Sequence, residues 1–93
     1  MPGTNLLSDI KIADMTTVIF GPYCTQTLAD MGADVVKVEP KGGDDFRNVG
    51  KPANNRSMGP CHLTINRGKR SVVWDLKSEP GKAAIRKLIQ QSD

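Results

Sequence analysis

Apolar and polar positions along the first forty residues follow the order strand, helix, strand. Short alternation predicts a strand over 10–15, and a Gly-Pro pair marks the turn after it. Because proline suits the first turn of a helix, we expect a helix over 22–31, with Gly32 as its C-cap. A β-branched run over 35–39 predicts a buried parallel strand. Residues 9–39 are therefore predicted to form a βαβ unit, whose crossover is right-handed.

The second half of the chain opens with a stretch rich in turn-forming residues. A loop of about 20 residues is uncommon inside a compact domain, so we expect a functional lid or a segment packed on something outside this chain. Strand-like stretches follow at 63–65 and 71–76, and Ser78 is a good N-cap for a helix with an apolar stripe over 84–89. The predicted organisation is a lead-in over 1–8, the βαβ unit over 9–39, a loop over 40–61, and strands with a helix over 62–93.

Charge and composition narrow the function classes. The chain has 93 residues and a net charge of +3, which suits one small globular domain. The four aromatic residues are not interleaved with the basic ones, which disfavours nucleic acid. No apolar run approaches the ~20 residues that span a bilayer, and we see no signal peptide, so we expect a cytoplasmic protein with no membrane partner. The basic residues cluster in the middle of the chain: Lys51, Arg56, Arg67, Lys69 and Arg70.

The densest part of that cluster is the turn over 66–71, with the sequence NRGKRS. Its guanidinium and ammonium groups can meet phosphate oxygens. A solvated, charged turn explains the same pattern equally well. The sequence leaves both interpretations open.

Candidate catalytic residues are few. A lone histidine such as His62 is more often structural than catalytic, and Cys24 and Cys61 lack the CxxC spacing of a zinc or redox site. We expect Cys24 to be a core thiol and the Asp44-Asp45 pair to be a solvated loop feature. The sequence therefore predicts no catalytic residue and no metal site.

A dinucleotide site is weakly supported. The first βα turn has one glycine, Gly21, instead of the GxGxxG pattern that lets the backbone approach a pyrophosphate. Glu39 ends the second predicted strand, where a ribose-binding acid would lie, but it is a single residue. We therefore do not expect NAD to be a cofactor.

Several stretches, taken in order and spacing, resemble one protein family. They are LSDIKIADMT over 7–16, Gly21-Pro22, LADMGADVVKVEP over 28–40, Gly42-Gly43-Asp44, NRGKRSVVWDLK over 66–77, and the helix opening SEPG over 78–81. Together they resemble the class III coenzyme A (CoA) transferases, the CaiB/BaiF family, which includes formyl-CoA transferases and α-methylacyl-CoA racemases. The resemblance covers nearly the whole chain, from Leu7 to Asp93.

The resemblance implies the fold and the activity of the parent enzyme. The fold is α/β, and this chain is the incomplete, Rossmann-like βαβ opening of a large domain whose subunits interlock as a homodimer. Such enzymes move CoA from an acyl-CoA to a carboxylic acid through an aspartate nucleophile, which in the family pattern lies beyond Asp93. The chain alone is thus expected to be inactive. Alternatives are a fragment of a racemase-type enzyme, a CoA- or nucleotide-binding module, and an interaction piece that docks through Val35–Val38 or Ala84–Ile89.

The resemblance also implies which residues contact CoA. They are Thr17, Val18, Ile19 and Phe20 after the first strand, Pro40 after the second, and Trp74, Asp75, Leu76 and Lys77 near the third.

Three of these positions carry distinctive residues. Ile19 replaces a glutamine and Phe20 a small residue of formyl-CoA transferases, so formyl and oxalyl substrates are not expected. Pro40 replaces an arginine that some members place near the CoA phosphates. Trp74 can stack on adenine or pack in the core, and Lys69 and Arg70 fit either a phosphate or a structural role. We expect 17–20 and 74–77 to meet beside the first βα turn.

Overall fold

The computed structural model describes residues 6–49 and 59–93. Most of the predicted lead-in, the second half of the predicted loop, and the basic residues Lys51 and Arg56 lie outside the described residues. The elements, in chain order, are β1 (Lys11–Asp14), α1 (Phe20–Asp30), β2 (Asp34–Glu39), a short 3-10 helix (Asp45–Asn48), α2 (Pro60–Ile65), β3 (Arg70–Val73) and α3 (Glu79–Gln90).

The three strands form one parallel sheet in the order β1-β2-β3. Lys11 is in register with Asp34, and Val36 with Arg70. Val35 and Val38 of β2 are buried. The predicted α/β, Rossmann-like opening is therefore confirmed. Because β2 is paired along both of its edges, a partner cannot add a strand at Val35–Val38.

The two faces of the sheet differ in polarity. Side chains alternate between the faces of a strand, and partners in a parallel register share a face. One face thus carries Asp14, Lys37 and Glu39, and α1 packs on it against β1 and β2. The other face carries Val36 and Val38, and Val36 lines one small cavity with Leu88 of α3.

Helix α1 begins at Phe20, two residues before the predicted start. Its buried residues are Pro22, Thr25 and Gln26, whereas Cys24 is exposed. The prediction of a core thiol at Cys24 is therefore wrong. The reason is that the face turned to the sheet must satisfy a buried carboxylate: the Thr25 hydroxyl donates to Asp14 at 2.7 Å. Gly32 has a φ of 101° directly after the helix, which confirms the predicted cap region.

The predicted strand at 63–65 is wrong, because these residues belong to helix α2. Pro60 occupies the first turn, where proline is favourable, and the Thr64 hydroxyl donates to the Pro60 carbonyl at 2.8 Å. Alternation over so few residues did not distinguish a strand from one turn and a half of helix.

Strand β3 ends at Val73, so residues 74–76 are not strand as predicted. The Trp74 N–H still donates to the Glu39 carbonyl at 3.1 Å. The chain then turns, because the Asp75 carboxylate accepts the Lys77 N–H at 3.0 Å. The Ser78 hydroxyl accepts the Gly81 N–H at 3.1 Å, which confirms Ser78 as the N-cap of α3. Among the described residues, no helix has the length and hydropathy required to cross a membrane.

Candidate functional site

A cleft of about 210 Å³ lies at the carboxyl ends of the three strands. In open α/β sheets, ligands bind outside these strand ends. Each strand contributes to the cleft through the residues that end or follow it. The lining residues are Met15 and Thr17 after β1, Val38, Glu39, Pro40 and Lys41 at the end of β2, and Trp74, Asp75, Leu76 and Lys77 after β3.

Six of the nine sequence-predicted contact residues line this cleft. Thr17, Pro40 and the four residues of 74–77 do so, and the predicted meeting of the first and third strand ends is observed at Thr17. Ile19 instead lines a neighbouring apolar groove with Phe46 and α2. Phe20 is 90% exposed, and Val18, in the turn between β1 and α1, is exposed and lines neither cavity.

Trp74 supplies the aromatic surface of the cleft. Its indole is partly buried, and the backbone hydrogen bond to Glu39 fixes the position from which the side chain projects. An aromatic face in this position can stack on a purine ring. Both roles considered for Trp74, core packing and base stacking, remain compatible with a partly buried indole.

Lys77 and Lys41 supply the positive charge. Both side chains are exposed, and neither ammonium has an ion-pair or hydrogen-bond partner among the described residues. Lys41 was missed by the sequence analysis, which considered only the replacement of an arginine by Pro40. The signal was available, since a cation directly follows that proline at the carboxyl end of a buried strand.

Asp75 lines the cleft and also makes hydrogen bonds within the loop after β3. Its carboxylate accepts the Lys77 N–H, and its carbonyl accepts the Ser78 hydroxyl at 2.7 Å. A hydrogen atom of Gly81 faces this carbonyl, since a Cβ at Gly81 would lie 1.8 Å from the Asp75 oxygen. Asp75 therefore shapes the loop that carries Trp74 and Lys77.

A layer of buried ion pairs lies beneath α1 and α2, on the polar face of the sheet. Lys69 pairs with Asp14 at 2.9 Å, and Lys37 pairs with Asp44 at 2.8 Å. The Asn66 amide oxygen joins the two pairs, because it accepts from Lys69 at 2.8 Å and from Lys37 at 3.0 Å. All four charged side chains are at most 2% exposed. Asp44 is therefore a core residue, and its interpretation as a solvated loop feature is wrong.

Glu39 and Arg47 form a second, bidentate pair in the same layer, with both N···O distances at 2.7 Å. The Ser71 hydroxyl also donates to Glu39. Burial alone would raise the pKa of Glu39, but the hydrogen bonds from Arg47 and Ser71 outweigh it and lower the pKa to about 2. Glu39 is thus occupied within the fold and does not act as a ribose-binding acid.

The cations of the basic turn over 66–71 all form ion pairs within this chain. Besides the Lys69 pair, Arg67 binds Asp30 at 2.9 Å and Arg70 binds Asp34 at 2.7 Å. Every cation of the turn therefore already has a carboxylate partner. The geometry favours the structural interpretation over the phosphate-binding one.

His62 is 5% exposed, and its Nδ1 lies 3.2 Å from the Asn66 side-chain nitrogen. Burial is the main cause that lowers the pKa of His62, and nearby Arg47 adds to the effect. The neutral form of the ring therefore predominates at neutral pH. In the described parts of the chain, no group of three or more histidine, cysteine or acidic residues is arranged to hold a metal ion.

Comparisons with known proteins agree with the resemblance seen in the sequence. The family model described as CoA-transferase family III matches residues 7–93. The chain is 48% identical to a succinate–glutarate CoA-transferase of Agrobacterium fabrum, over 94% of this chain and 23% of the relative. It is 39% identical to the human succinyl-CoA:glutarate CoA-transferase, over 94% of this chain and 20% of that protein.

A solved structure shows the same fold. The crystal structure of a CaiB/BaiF family protein from Brucella suis superposes with a TM-score of 0.86 at 36% identity, over 98% of this chain and 25% of that one. The chain therefore spans between a fifth and a quarter of the length of these relatives.

Proposed function

The chain belongs to CoA-transferase family III, and we propose that it supplies part of the CoA-binding surface of an enzyme that moves CoA between an acyl-CoA and a carboxylic acid. The observation that carries the proposal is the cleft at the strand ends, where an aromatic side chain lies with two cations that have no ion-pair partner in the described parts of the chain. CoA presents an adenine ring and phosphate groups, which suit such a combination.

Within the cleft we assign the adenine to Trp74 and the phosphates to Lys41 and Lys77. Lys41 takes the electrostatic role that the arginine in place of Pro40 has in some relatives. The strand-end position supports this assignment, since CoA can enter without disturbing the paired sheet. Thr17 forms the opposite wall.

We further propose that the acids exchanged are dicarboxylic. The relatives described above are named for succinate or succinyl-CoA and glutarate. Both of these relatives are transferases, which favours the transferase over the racemase. The homodimer and the cytoplasmic location remain proposals drawn from the family resemblance and the sequence.

The nucleophile of the reaction is proposed to lie outside this chain. Asp14 and Asp44 are buried in ion pairs, Asp30 and Asp34 bind arginines, and Asp75 shapes a turn. A carboxylate that attacks an acyl-CoA must be accessible to the thioester carbon. Asp14 and Asp44 are therefore poor candidates. Because the family resemblance places the nucleophile beyond Asp93, we expect no transfer by the 93-residue chain alone. Turnover of succinyl-CoA and glutarate by the purified chain would contradict this part of the proposal.

The binding test is a titration of the chain with CoA, followed by the fluorescence of Trp74, which is the single tryptophan. We expect quenching on stacking, and a dissociation constant that Lys77→Ala raises about tenfold, as for the loss of one favourable charge contact. Lys87→Ala removes an exposed lysine of α3 and serves as the matched control. Trp74→Phe should retain more affinity, measured by calorimetry, than Trp74→Ala.

The outcome that would contradict the proposal is CoA binding that neither Trp74→Ala nor Lys77→Ala weakens. Titrations with dephospho-CoA and with adenosine show which part of CoA each residue contacts. If Lys77 binds a phosphate, its substitution should matter for CoA and have no effect on the binding of adenosine.

A further inference from the structure

Val18 has a backbone conformation that its side chain opposes. Its φ is 69°, the one positive φ among the described residues other than glycine. A β-branched residue in this left-handed region is strained, and such strain persists only where the surrounding structure enforces it. Val18 lies in the turn between β1 and α1, next to the cleft residue Thr17.

A buried ion pair holds this turn from both sides of Thr17. The Lys37 ammonium donates to the Thr16 carbonyl at 3.3 Å. The Asp44 carboxylate accepts the Val18 N–H, at 3.3 and 3.4 Å for its two oxygens. Lys37 and Asp44 bind each other at 2.8 Å, with side chains 1% and 0% exposed. The pair therefore contacts the backbone on either side of Thr17, which lines the cleft.

Lys37 and Asp44 are themselves held by secondary structure and by further hydrogen bonds. Lys37 projects from the central strand, and the Asp44 carboxylate caps the 3-10 helix by accepting the Phe46 N–H at 3.0 Å. The backbone N–H of Asp44 donates to the Glu39 carboxylate at 2.9 Å. Two elements that are distant along the chain from residues 16–18 thus determine the conformation of that turn.

We propose that Lys37 and Asp44 act as positioning residues, which hold Val18 in its left-handed conformation and thereby place Thr17 at the wall of the CoA cleft. The expected effect on CoA binding rests on the proposed function. The backbone conformation of Val18 can be tested without CoA. A pair that merely stabilised the fold would not need to contact the backbone on both sides of a cleft residue.

The test is a cycle of three variants of the chain: Asp44→Asn, Val18→Gly, and the two combined. Glycine adopts positive φ at little cost, so Val18→Gly removes the need for enforcement. We expect Asp44→Asn to weaken CoA binding about tenfold when Val18 is present, and about threefold or less when it is combined with Val18→Gly. The smaller loss is expected only if the Asp44 carboxylate acts by holding Val18 at positive φ. Asp34→Asn, which disrupts an exposed pair with Arg70, is the matched control and should leave CoA binding unchanged.

An equal loss of affinity with and without Val18→Gly would overturn the proposal, because Asp44 would then act independently of Val18. A second measurement covers the case in which Asp44→Asn does not fold. In the unmodified chain, nuclear magnetic resonance should show a slowly exchanging Val18 amide with the chemical shifts of positive φ. A fast-exchanging amide with shifts of negative φ would overturn the proposal by itself. Absence of CoA binding by the unmodified chain would instead contradict the proposed function.

Discussion

The buried layer beneath α1 and the cleft at the strand ends both contain lysines, and they use them in opposite ways. In the layer, Lys37 and Lys69 each have a carboxylate within 3 Å and almost no exposure to solvent. In the cleft, Lys41 and Lys77 are exposed and lack such partners among the described residues. A carboxylate partner in the fold therefore distinguishes a structural cation from one that is available to a ligand. The clustering of basic residues along the sequence does not.

The largest expected effect comes from removing a cation of the buried layer. Lys69→Met leaves Asp14 buried without its counterion, which typically costs about 3–5 kcal/mol. Urea denaturation, which measures the free energy of unfolding, checks this. Lys77→Met is the control in the cleft and should change that free energy by less than about 0.5 kcal/mol. If the two substitutions changed the free energy of unfolding equally, the lysines of the buried layer and of the cleft would not differ in their structural role.

The pH dependence of stability should reveal the same layer. The pKa of Glu39 falls from 4.5 to about 2 in the folded chain. A lowered folded-state pKa stabilises the fold above the unfolded value, so the stabilisation is complete above pH 4.5 and is lost as the pH falls toward 2. This difference in pKa limits the loss attributable to Glu39 to roughly 3 kcal/mol.

Acid titrations of stability on the unmodified chain and on Glu39→Gln measure this contribution. The variant should be less stable at neutral pH and should show a shallower decline below pH 4.5. Asp14 and Asp44, whose pKa values are also lowered through hydrogen bonds that outweigh burial, continue the decline in both proteins. If the stabilities of the two proteins fell in parallel with pH, the Glu39–Arg47 pair would contribute little to folding stability.

An intermediate effect is expected at Gly81, which links the fold to the cleft. An added Cβ would lie 1.8 Å from the Asp75 carbonyl oxygen, so the loop that carries Trp74 and Lys77 must move. We expect Gly81→Ala to cost about 1–3 kcal/mol of folding free energy, as in other overpacked sites, and also to weaken CoA binding. Ala83→Gly, at an exposed position of the same helix, is the control for helix propensity. Unchanged CoA binding in Gly81→Ala would mean that the loop geometry is not critical.

Much of the fold was predictable from the sequence. The βαβ unit, the Gly32 cap region and the Ser78 cap follow from local patterns, and the structure confirms them. Helix α2 was missed because a single short apolar alternation fits both helix and strand. The burial of Asp44 could not be read locally, because it depends on Lys37, which approaches it only after β2 and the 3-10 helix have packed together.

The lining of the candidate cleft was predictable in outline, whereas its electrostatics were not. The motif around Trp74 located one wall of the cleft, and the residue after β1 located the other. Which cations remain available depends on long-range partners, such as Asp30 for Arg67 and Asp34 for Arg70. Sequence spacing contains no information about such pairing, so the NRGKRS turn looked as suitable for phosphate as the cleft.

The smallest expected effect on stability is at Lys41. Comparing this cleft lysine with an arginine of the basic turn tests directly which cations bind the ligand. Lys41→Ala should weaken CoA binding about tenfold at low salt and less at high salt, since an exposed charge contact is screened by ions. The free energy of unfolding should stay within about 0.5 kcal/mol of the original. Arg70→Ala, in the basic turn, should leave CoA affinity unchanged. If Arg70→Ala weakened binding and Lys41→Ala did not, the phosphates would lie at the turn, and the cleft would have to be abandoned as the CoA site.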